Sequence, residues 1–282
     1  MFSSLTFLNS SLYSNVFSTY PIFVKNAFLK MLAYRMRYVT GILTYLMFVS
    51  VNYFIWEAVF ANSEPGMKIK GYTFKEMVTY ISIAWISRSL YFSNIDEQID
   101  ELVKTGQISI FLIRPVNFHN IMIFQAIGES LFRLIFFTAP ISIVIVSIFP
   151  VALPKSLLDG LMFLISSSLS FLVLAEMNFL IGLLSFHIKS IQGIVRAKYF
   201  LIQLLSGLLL PITFFPEVLE KIVNLLPFVT IAFLPLQCYL GKVPYTEFPA
   251  LIFHQFFWVI FLYVLGRFFW KKAISHLTLQ GG

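Results

Sequence analysis

Long apolar runs, separated by short polar segments, are the main pattern along the chain. A membrane-spanning helix needs about 20 mostly apolar residues, and six runs meet or approach that length. We therefore predict an all-α membrane protein with six transmembrane helices. The third and fourth runs are longer than a bilayer requires, so those helices must tilt or project into the cytosol. The predicted spans are residues 40–61, 74–93, 121–149, 157–186, 199–210 and 248–270.

The apolar segment before the last predicted span, residues 208–241, does not fit a single helix. Proline interrupts helices because it lacks a backbone N–H. The prolines in this segment are Pro211, Pro216, Pro227 and Pro235. Residues 217–226 still have the spacing of a short amphipathic helix. We predict two short re-entrant helices that enter the outer leaflet and return, with their freed backbone groups covered by protein or water.

The segment before the first span has a different pattern. No basic residue precedes Lys25, which argues against a signal peptide, so the first 20 residues are expected to be a floppy or surface-lying leader. Beyond them, polar and apolar residues occupy different sides of a helical wheel. We predict an amphipathic interfacial helix whose basic residues, Lys25, Lys30 and Arg37, meet anionic headgroups of the lipid bilayer. A cytosolic extension of the first span is the alternative.

Composition supports the membrane class. The chain is 59% hydrophobic and 12% charged, whereas soluble domains carry about 25% charged residues. Its single cysteine, Cys238, cannot form an internal disulfide. His119 and His187 have no cysteine or acid at metal-ligand spacing, so no metal site is expected. The net charge of +7 reflects topology in a membrane chain, and no nucleic-acid partner is expected.

The distribution of Lys and Arg predicts the orientation. If the N-terminus is cytosolic, about twice as many basic residues fall in inner segments as in outer segments. We therefore expect both termini in the cytosol. The chain then divides into a cytosolic leader with an interfacial helix, residues 1–39, and a six-span transmembrane domain, residues 40–282.

One charged passage interrupts the chain between the second and third predicted spans. Ile95, Ile99, Leu102 and Val103 recur at the spacing of one helix face, which predicts a short helix. The charged residues that lie largely off that face are Asp96, Glu97, Asp100, Glu101 and Lys104. Acids near the start and a lysine near the end suit the helix dipole, and Gly106 suits a helix stop. The residues alone leave a solvated loop helix and a docking surface both open.

Three segments together resemble the permease subunits of type-2 ABC exporters, in the drug- and lipid-exporting branch. "TGQISIFLIRPVNFHNIMIFQAIGESLFRLIF" places a glycine after a charged helix, then an apolar run, an Arg-Pro and the entry into the third span. "SGLLLPITFFPEVLEKIVNLLPF" is similar to the family's Ser-Gly, Pro, Pro, Leu-Pro-Phe passage, and the chain closes on the Gly281 and Gly282 pair. The resemblance extends over nearly all of the chain after about Tyr20, although "ISHLTLQ" departs from the basic, aromatic ending of the family.

The resemblance implies a transport subunit without catalytic residues or a cofactor of its own, driven by a separate ABC ATPase subunit that binds ATP and Mg. The nearest match to a P-loop, "GMKIKGY" from Gly66, lacks the required lysine and hydroxyl. The family's coupling helix, which docks in a cleft of the ATPase, would be residues 96–105. The loop "HIKSIQGIVRAK", from His187 to Lys198, would be a second, weaker contact. The ATPase-coupling residues would be Asp96, Glu97, Asp100, Glu101, Leu102, Lys104 and Gly106.

The resemblance also implies a second permease subunit, as a homodimer or a heterodimer with a paralogue, in a bacterial inner membrane. By resemblance to the family, the substrate would be amphiphilic or lipid-like, and the direction of transport would be export. The main alternative is an ion-coupled secondary transporter or channel that works without an ATPase. An intramembrane enzyme and a purely structural scaffold are further alternatives.

Charged residues within the predicted spans form a second candidate site. A charge near the bilayer centre costs about 3 kcal/mol, so each should face protein or water. Glu129 precedes Arg133 by one helical turn, which is the favourable order for an ion pair. We predict a shared cluster that is either a packing network, the favoured interpretation, or a polar wall of the substrate path. Its members are Arg88, Glu129, Arg133 and Glu176.

Overall fold

The computed structural model describes residues 4–33, 39–64 and 66–275, which form helices, their connections and one isolated bridge between Ile69 and Tyr72. Buried apolar side chains from most of these helices merge into one core. The α-helices of the described residues are α1 (Ser4–Ala33), α2 (Val39–Phe60), α3 (Phe74–Tyr91), α4 (Ile95–Lys104), α5 (Ile108–Leu112), α6 (Phe118–Arg133), α7 (Ala139–Ile148), α8 (Leu157–Gly182), α9 (Gln192–Leu205), α10 (Glu217–Leu225), α11 (Phe233–Tyr239) and α12 (Phe248–Ser275).

Four helical stretches of the described chain are long and apolar enough to cross a bilayer, and they coincide with the first, third, fourth and sixth predicted spans. These stretches are Gly41–Phe60, Phe118–Ile148, Leu157–Phe186 and Phe248–Ser275. A fifth candidate is a bent pair, Glu217–Leu225 with Pro227–Tyr239, whose two helices meet at 75°. This geometry fits both a broken span and a re-entrant loop. The protein is therefore an all-α membrane protein with four or five candidate spans by length and composition.

The second predicted span contains α3, whose sequence is less apolar than the four stretches above. Every residue of α3 from Met77 to Ser87 is buried in the protein. A helix packed on all sides does not need a lipid-facing surface, so it can carry small polar residues such as Ser87 and Ser89. The Ser87 hydroxyl donates to the Ile83 carbonyl at 2.7 Å. The low hydropathy of α3 thus follows from its place at the centre of the bundle.

The fifth predicted span, residues 199–210, differs from the helix that the structure contains. α9 begins earlier, at Gln192, and its 14 residues are shorter than a bilayer requires. It stops before Gly207, which has φ +81° and whose carbonyl accepts a hydrogen bond from the Tyr80 hydroxyl. A Cβ at Gly207 would lie 2.9 Å from that hydroxyl oxygen, so the chain needs glycine here for both space and conformation.

The third span contains a wider turn near its middle. Between α6 and α7 the backbone forms a π-helical segment, Leu134–Thr138. Pro140 follows at the start of α7, and proline cannot donate the hydrogen bond that would continue a regular helix. A π-turn beside proline lets the two halves remain one continuous helix of 31 residues.

The leader was expected to be floppy or surface-lying, and its backbone is helical from Ser4 onward, which does not fit a floppy leader. α1 packs along α6: the Tyr20 and Phe124 rings stack with centroids 4.9 Å apart. At Gly128 of α6, a Cβ would lie 2.2 Å from the Val24 carbonyl oxygen. One apolar side of α1 therefore contacts the protein, where the prediction had placed it against lipid.

Two of the three basic residues predicted for the membrane surface lie within the described part of α1, on the side that faces away from α6. Lys25 and Lys30 are both exposed. Arg37 lies outside the described residues, as does the Gly281 and Gly282 pair.

Candidate functional site

The helix predicted as the coupling helix, α4, is seated against α6, α8 and α9. Ile95 and Ile99 are buried, as the apolar periodicity predicts, with 1% and 0% exposure. At Gly182 of α8, a Cβ would lie 2.8 Å from Ile99 Cδ1 and 3.1 Å from the Asp96 Cα. Only glycine allows α4 to approach α8 this closely, so α4 is an integral part of the bundle.

The four acids of α4 divide into an exposed pair and a buried pair. Glu97 and Glu101 are exposed, one helical turn apart, and neither carboxylate has a hydrogen bond or ion pair with any described residue. Asp96 is 0% exposed and Asp100 is 7% exposed. This corrects the predicted acidic face: Asp96 points into the protein and cannot be offered to a partner.

Asp96 instead forms a buried ion pair with Lys198 of α9. The Lys198 ammonium also donates to Asn178 Oδ1 of α8 at 2.8 Å. Asn178 Nδ2 in turn donates to the Ser93 carbonyl at 2.7 Å, just before α4 begins. A buried ion pair needs such additional hydrogen bonds to offset the cost of desolvation. The network therefore joins α4, α8 and α9 at one point.

The second buried acid has one partner, within α4, while its Oδ1 has no hydrogen-bond partner among the described residues. Asp100 Oδ2 lies 2.6 Å from the Lys104 ammonium, which is partly exposed. Half-buried Leu102 packs against the core. Gly106 follows with φ +71°, and its N–H donates to the Val103 carbonyl at 3.1 Å. This left-handed glycine confirms the predicted helix stop.

A groove of ≈ 550 Å³ opens between α4 and α9. Glu97 and Glu101 contribute negative charge to one wall. Gln192 and Arg196 belong to the opposite wall, in the loop-proximal part of α9 that the sequence indicated as a second contact. The groove therefore carries both signs of charge and suits a partner surface of mixed charge.

The predicted ion pair of the third span is present. Glu129 Oε2 and Arg133 Nη1 are 3.6 Å apart, and both side chains are less than 10% exposed. Gln98 of α4 donates to Glu129 Oε1 at 2.7 Å. Arg133 Nε donates to the Ser89 carbonyl at 3.2 Å, and its Nη2 donates to the Phe92 carbonyl. This pair thus connects α6 to α4 and to the end of α3.

The other two members of the predicted cluster lie in different surroundings. The Arg88 guanidinium lies over the Trp85 ring, 5.1 Å from its centroid, and has no ion pair with a carboxylate of the described chain. Glu176 Oε2 lies 2.7 Å from His119 Nε2. The structure therefore corrects the single cluster to three separate sites.

The pair of His119 and Glu176 is enclosed by aromatic rings. The imidazole of His119 stacks on Phe179 at a centroid distance of 3.7 Å and on Tyr263 at 4.7 Å. Gly266 of α12 makes room for it, because a Cβ there would lie 2.9 Å from His119 Cε1. Side chains of α6, α8 and α12 thus meet around one buried hydrogen bond.

The sequence interpretation missed three of these polar residues. Lys198 ended the segment predicted as a second contact but was given no partner within the chain, Asn178 was one amide in an apolar run, and Gln98 was one polar position of α4. The available signal was that polar groups in apolar segments must find partners. No group of three or more His, Cys, Asp or Glu residues placed to hold a metal ion occurs in the described part of the chain.

Comparison with known families matches residues 46–281 to the family model described as ABC-2 family transporter protein. The matched range includes α4, α6, α8 and α9, and therefore the Asp96–Lys198 network, the pair of Glu129 and Arg133 and the pair of His119 and Glu176. No curated protein matches the chain.

Proposed function

Because the chain belongs to the ABC-2 family of transporter proteins, we propose that it is the membrane-spanning permease subunit of an ATP-driven exporter. A separate ABC ATPase subunit binds ATP and Mg and supplies the energy. This chain contributes the transport pathway and no catalytic residue. The family match and the apolar helices support the assignment.

The observation that carries the proposal is the contrast within α4. The helix is firmly seated, yet Glu97 and Glu101 are exposed and lack partners among the described residues. Like charges one turn apart destabilise a helix by about 0.2–0.5 kcal/mol, and a basic partner would relieve this cost. We propose that these two acids meet basic residues of the ATPase subunit.

The proposed architecture has six spans, with α3 and α9 as the second and fifth. The bent pair α10 and α11 is then the re-entrant hairpin before the last span. Both termini and α4 lie on the cytosolic side of a bacterial inner membrane, and α1 lies at the interface with Lys25 and Lys30 towards headgroups. The central burial of α3 supports its assignment as a span.

The proposed pathway forms between this chain and a second permease subunit, either a copy or a paralogue. Its substrate is amphiphilic or lipid-like. Large exposed apolar faces on α2 and α12 support contact of these helices with lipid or with the second permease subunit. Examples are Leu43, Met47 and Phe54 of α2 and Phe253, Val264 and Phe268 of α12, all exposed in the single chain.

The proposal is tested by purifying the tagged chain from membranes in mild detergent and measuring ATP hydrolysis. We expect a P-loop ATPase to co-purify and to hydrolyse MgATP. The double variant Glu97→Lys and Glu101→Lys should lose the ATPase subunit while the chain remains monodisperse.

The matched control reverses two exposed acids elsewhere, Glu217→Lys and Glu247→Lys, which lie on the proposed outer side. This control should retain the ATPase subunit. Loss in the control as well, or full retention by the α4 variant, would contradict the proposed contact.

A second candidate function is an ion-coupled secondary transporter or channel without an ATPase. The observation that favours it is the buried pair of His119 and Glu176, two titratable groups inside the bundle. Substrate movement driven by a proton gradient, in vesicles containing the purified chain alone, would support this alternative over the ATP-driven one.

A further inference from the structure

The buried bond between Asp96 and Lys198 connects parts of the chain that are 102 residues apart. The side chains are 0% and 3% exposed. Asp96 Oδ1 has no hydrogen-bond partner among the described atoms, so Lys198 provides the neutralising contact for this carboxylate. Separating the two would leave an uncompensated buried charge, which is strongly unfavourable. α4 and α9 therefore cannot move apart independently.

The contacts around the Asp96–Lys198 bond differ between the two helices that it joins. Gly182 brings α4 directly onto α8, and Asn178 of α8 receives the same Lys198 ammonium. On its other side α4 is bound to α6 through Gln98 and Glu129. α9 has no comparable glycine-mediated contact with α4 in the described structure, so the charged bond is its specific attachment to that helix.

α9 continues the connection towards the bent pair. Directly after α9, the Ser206 carbonyl accepts a hydrogen bond from the Phe233 N–H at 2.9 Å, and Phe233 begins α11. The next carbonyl, that of Gly207, binds the Tyr80 hydroxyl of α3. A displacement of α9 would thus reach α11, the second half of the bent pair, and the central helix α3.

We propose that Asp96 and Lys198 are positioning residues that carry a displacement of α4 to α9, and through α9 to the bent pair α10 and α11. The inference rests on the proposed function, in which the ATPase subunit pushes on α4. In this scheme Glu97 and Glu101 receive the ATPase, whereas Asp96, their neighbour on the buried side, passes the movement inward.

The test measures distances between spin labels in the complex of chain and ATPase. One label is placed directly after α4 (Thr105→Cys) or on α9 (Ala197→Cys), and the reference label is on α12 (Lys272→Cys); all three positions are exposed. The natural buried cysteine is removed by Cys238→Ala. Distances are compared between the ADP state and the state trapped with MgATP and vanadate.

We expect both labels to move in the otherwise unchanged complex. In Lys198→Met, the α4 label should still move, and the change at α9 should fall by about fivefold or more. The charge swap Asp96→Lys with Lys198→Asp re-forms the pair and should restore the α9 change. If Lys198→Met is poorly folded, the double variant Asp96→Asn with Lys198→Met leaves no lone buried charge and should show the same loss.

An undiminished α9 change in a well-folded Lys198→Met complex would overturn the inference, as would the absence of movement at α9 in the unchanged complex. In both cases the ATPase is bound, so the proposed function stands. Failure of any ATPase to co-purify with the unlabelled chain would instead contradict the proposed function itself.

Discussion

The two sides of α8 carry similar bonds in very different surroundings. Glu176 binds His119 on one side, inside a cage of aromatic rings between α6 and α12. Asn178, two residues further on, binds Lys198 on the other side, where α4 and α9 border an open groove. Two residues along a helix correspond to a rotation of about 200°, so neighbours in sequence serve opposite faces.

The different surroundings of Glu176 and Asn178 indicate which side of α8 can transmit movement. Stacked rings and a close glycine contact hold the His119 side by packing, which resists displacement. On the Lys198 side the close contact at Gly182 holds α4 alone, whereas α9 is attached to α4 and α8 by the polar bonds of Lys198, beside a groove. We infer that the His119 side is the fixed part of the bundle and the Lys198 side is the part that responds to a partner.

The largest effect is expected from Gly266→Leu, on the fixed side. Its Cβ would already lie 2.9 Å from His119 Cε1 and 3.2 Å from Phe179 Cδ1. Overpacking of this kind costs about 1–3 kcal/mol, and we expect the upper end because both rings are confined. Thermal denaturation in detergent measures the loss. Gly193→Leu is the matched control, since a Cβ there meets nothing within 4 Å; equal melting of the two variants would contradict the packed cage.

A smaller loss is expected from Glu176→Ala. Removing the carboxylate leaves His119 Nε2 buried without its partner, which costs about 1–3 kcal/mol. Glu176→Gln retains a group that can hydrogen-bond to the imidazole and should lose less. The same melting experiment compares the two variants. If Gln destabilises as much as Ala, the pair is held by charge and not by the hydrogen bond alone.

Gly182→Ala probes the other side of α8 and should affect stability less than Gly266→Leu. The added methyl group would lie 2.8 Å from Ile99 Cδ1 and would push α4 outward. Only one face of α4 packs against the bundle, and its opposite face is exposed at Glu97 and Glu101, so the helix can give way slightly and we expect about 1 kcal/mol. The displaced helix should bind the ATPase subunit more weakly. Co-purification measures this binding. Unchanged binding would show that the ATPase contact does not depend on the position of α4 against α8.

The smallest effect on stability is expected from Glu97→Lys with Glu101→Lys. Exposed substitutions without partners usually change the free energy of unfolding by about 0.5 kcal/mol or less. Melting should therefore match that of the unchanged protein while binding of the ATPase is lost. A large drop in melting temperature would mean that these acids have a structural role.

The apolar periodicity predicted most of the helices but not the number of spans. The four long apolar stretches lie where the sequence placed them, because a helix facing lipid must be apolar along its length. α3 departs from this rule because protein surrounds it, and α9 because Gly207 ends it early. Both features depend on neighbouring helices, which a single sequence does not specify.

The candidate site could be predicted only in outline. The helix α4, its buried isoleucines and its glycine stop follow from local pattern, as does the pair of Glu129 and Arg133 on one helix. The pairs Asp96 with Lys198 and His119 with Glu176 join distant segments, and no local rule selects their partners. For the same reason Asp96 and Glu97, adjacent acids, could not be assigned to opposite environments.

The most direct test of the central claim is photo-crosslinking from α4 in native membranes. A photoreactive amino acid at position 101 should crosslink to a protein that mass spectrometry identifies as a P-loop ATPase. The same group at position 217, exposed on α10, should not. Crosslinking of position 101 to lipid alone, or equal crosslinking of the ATPase from both positions, would contradict the account of α4 as the surface that meets the ATPase.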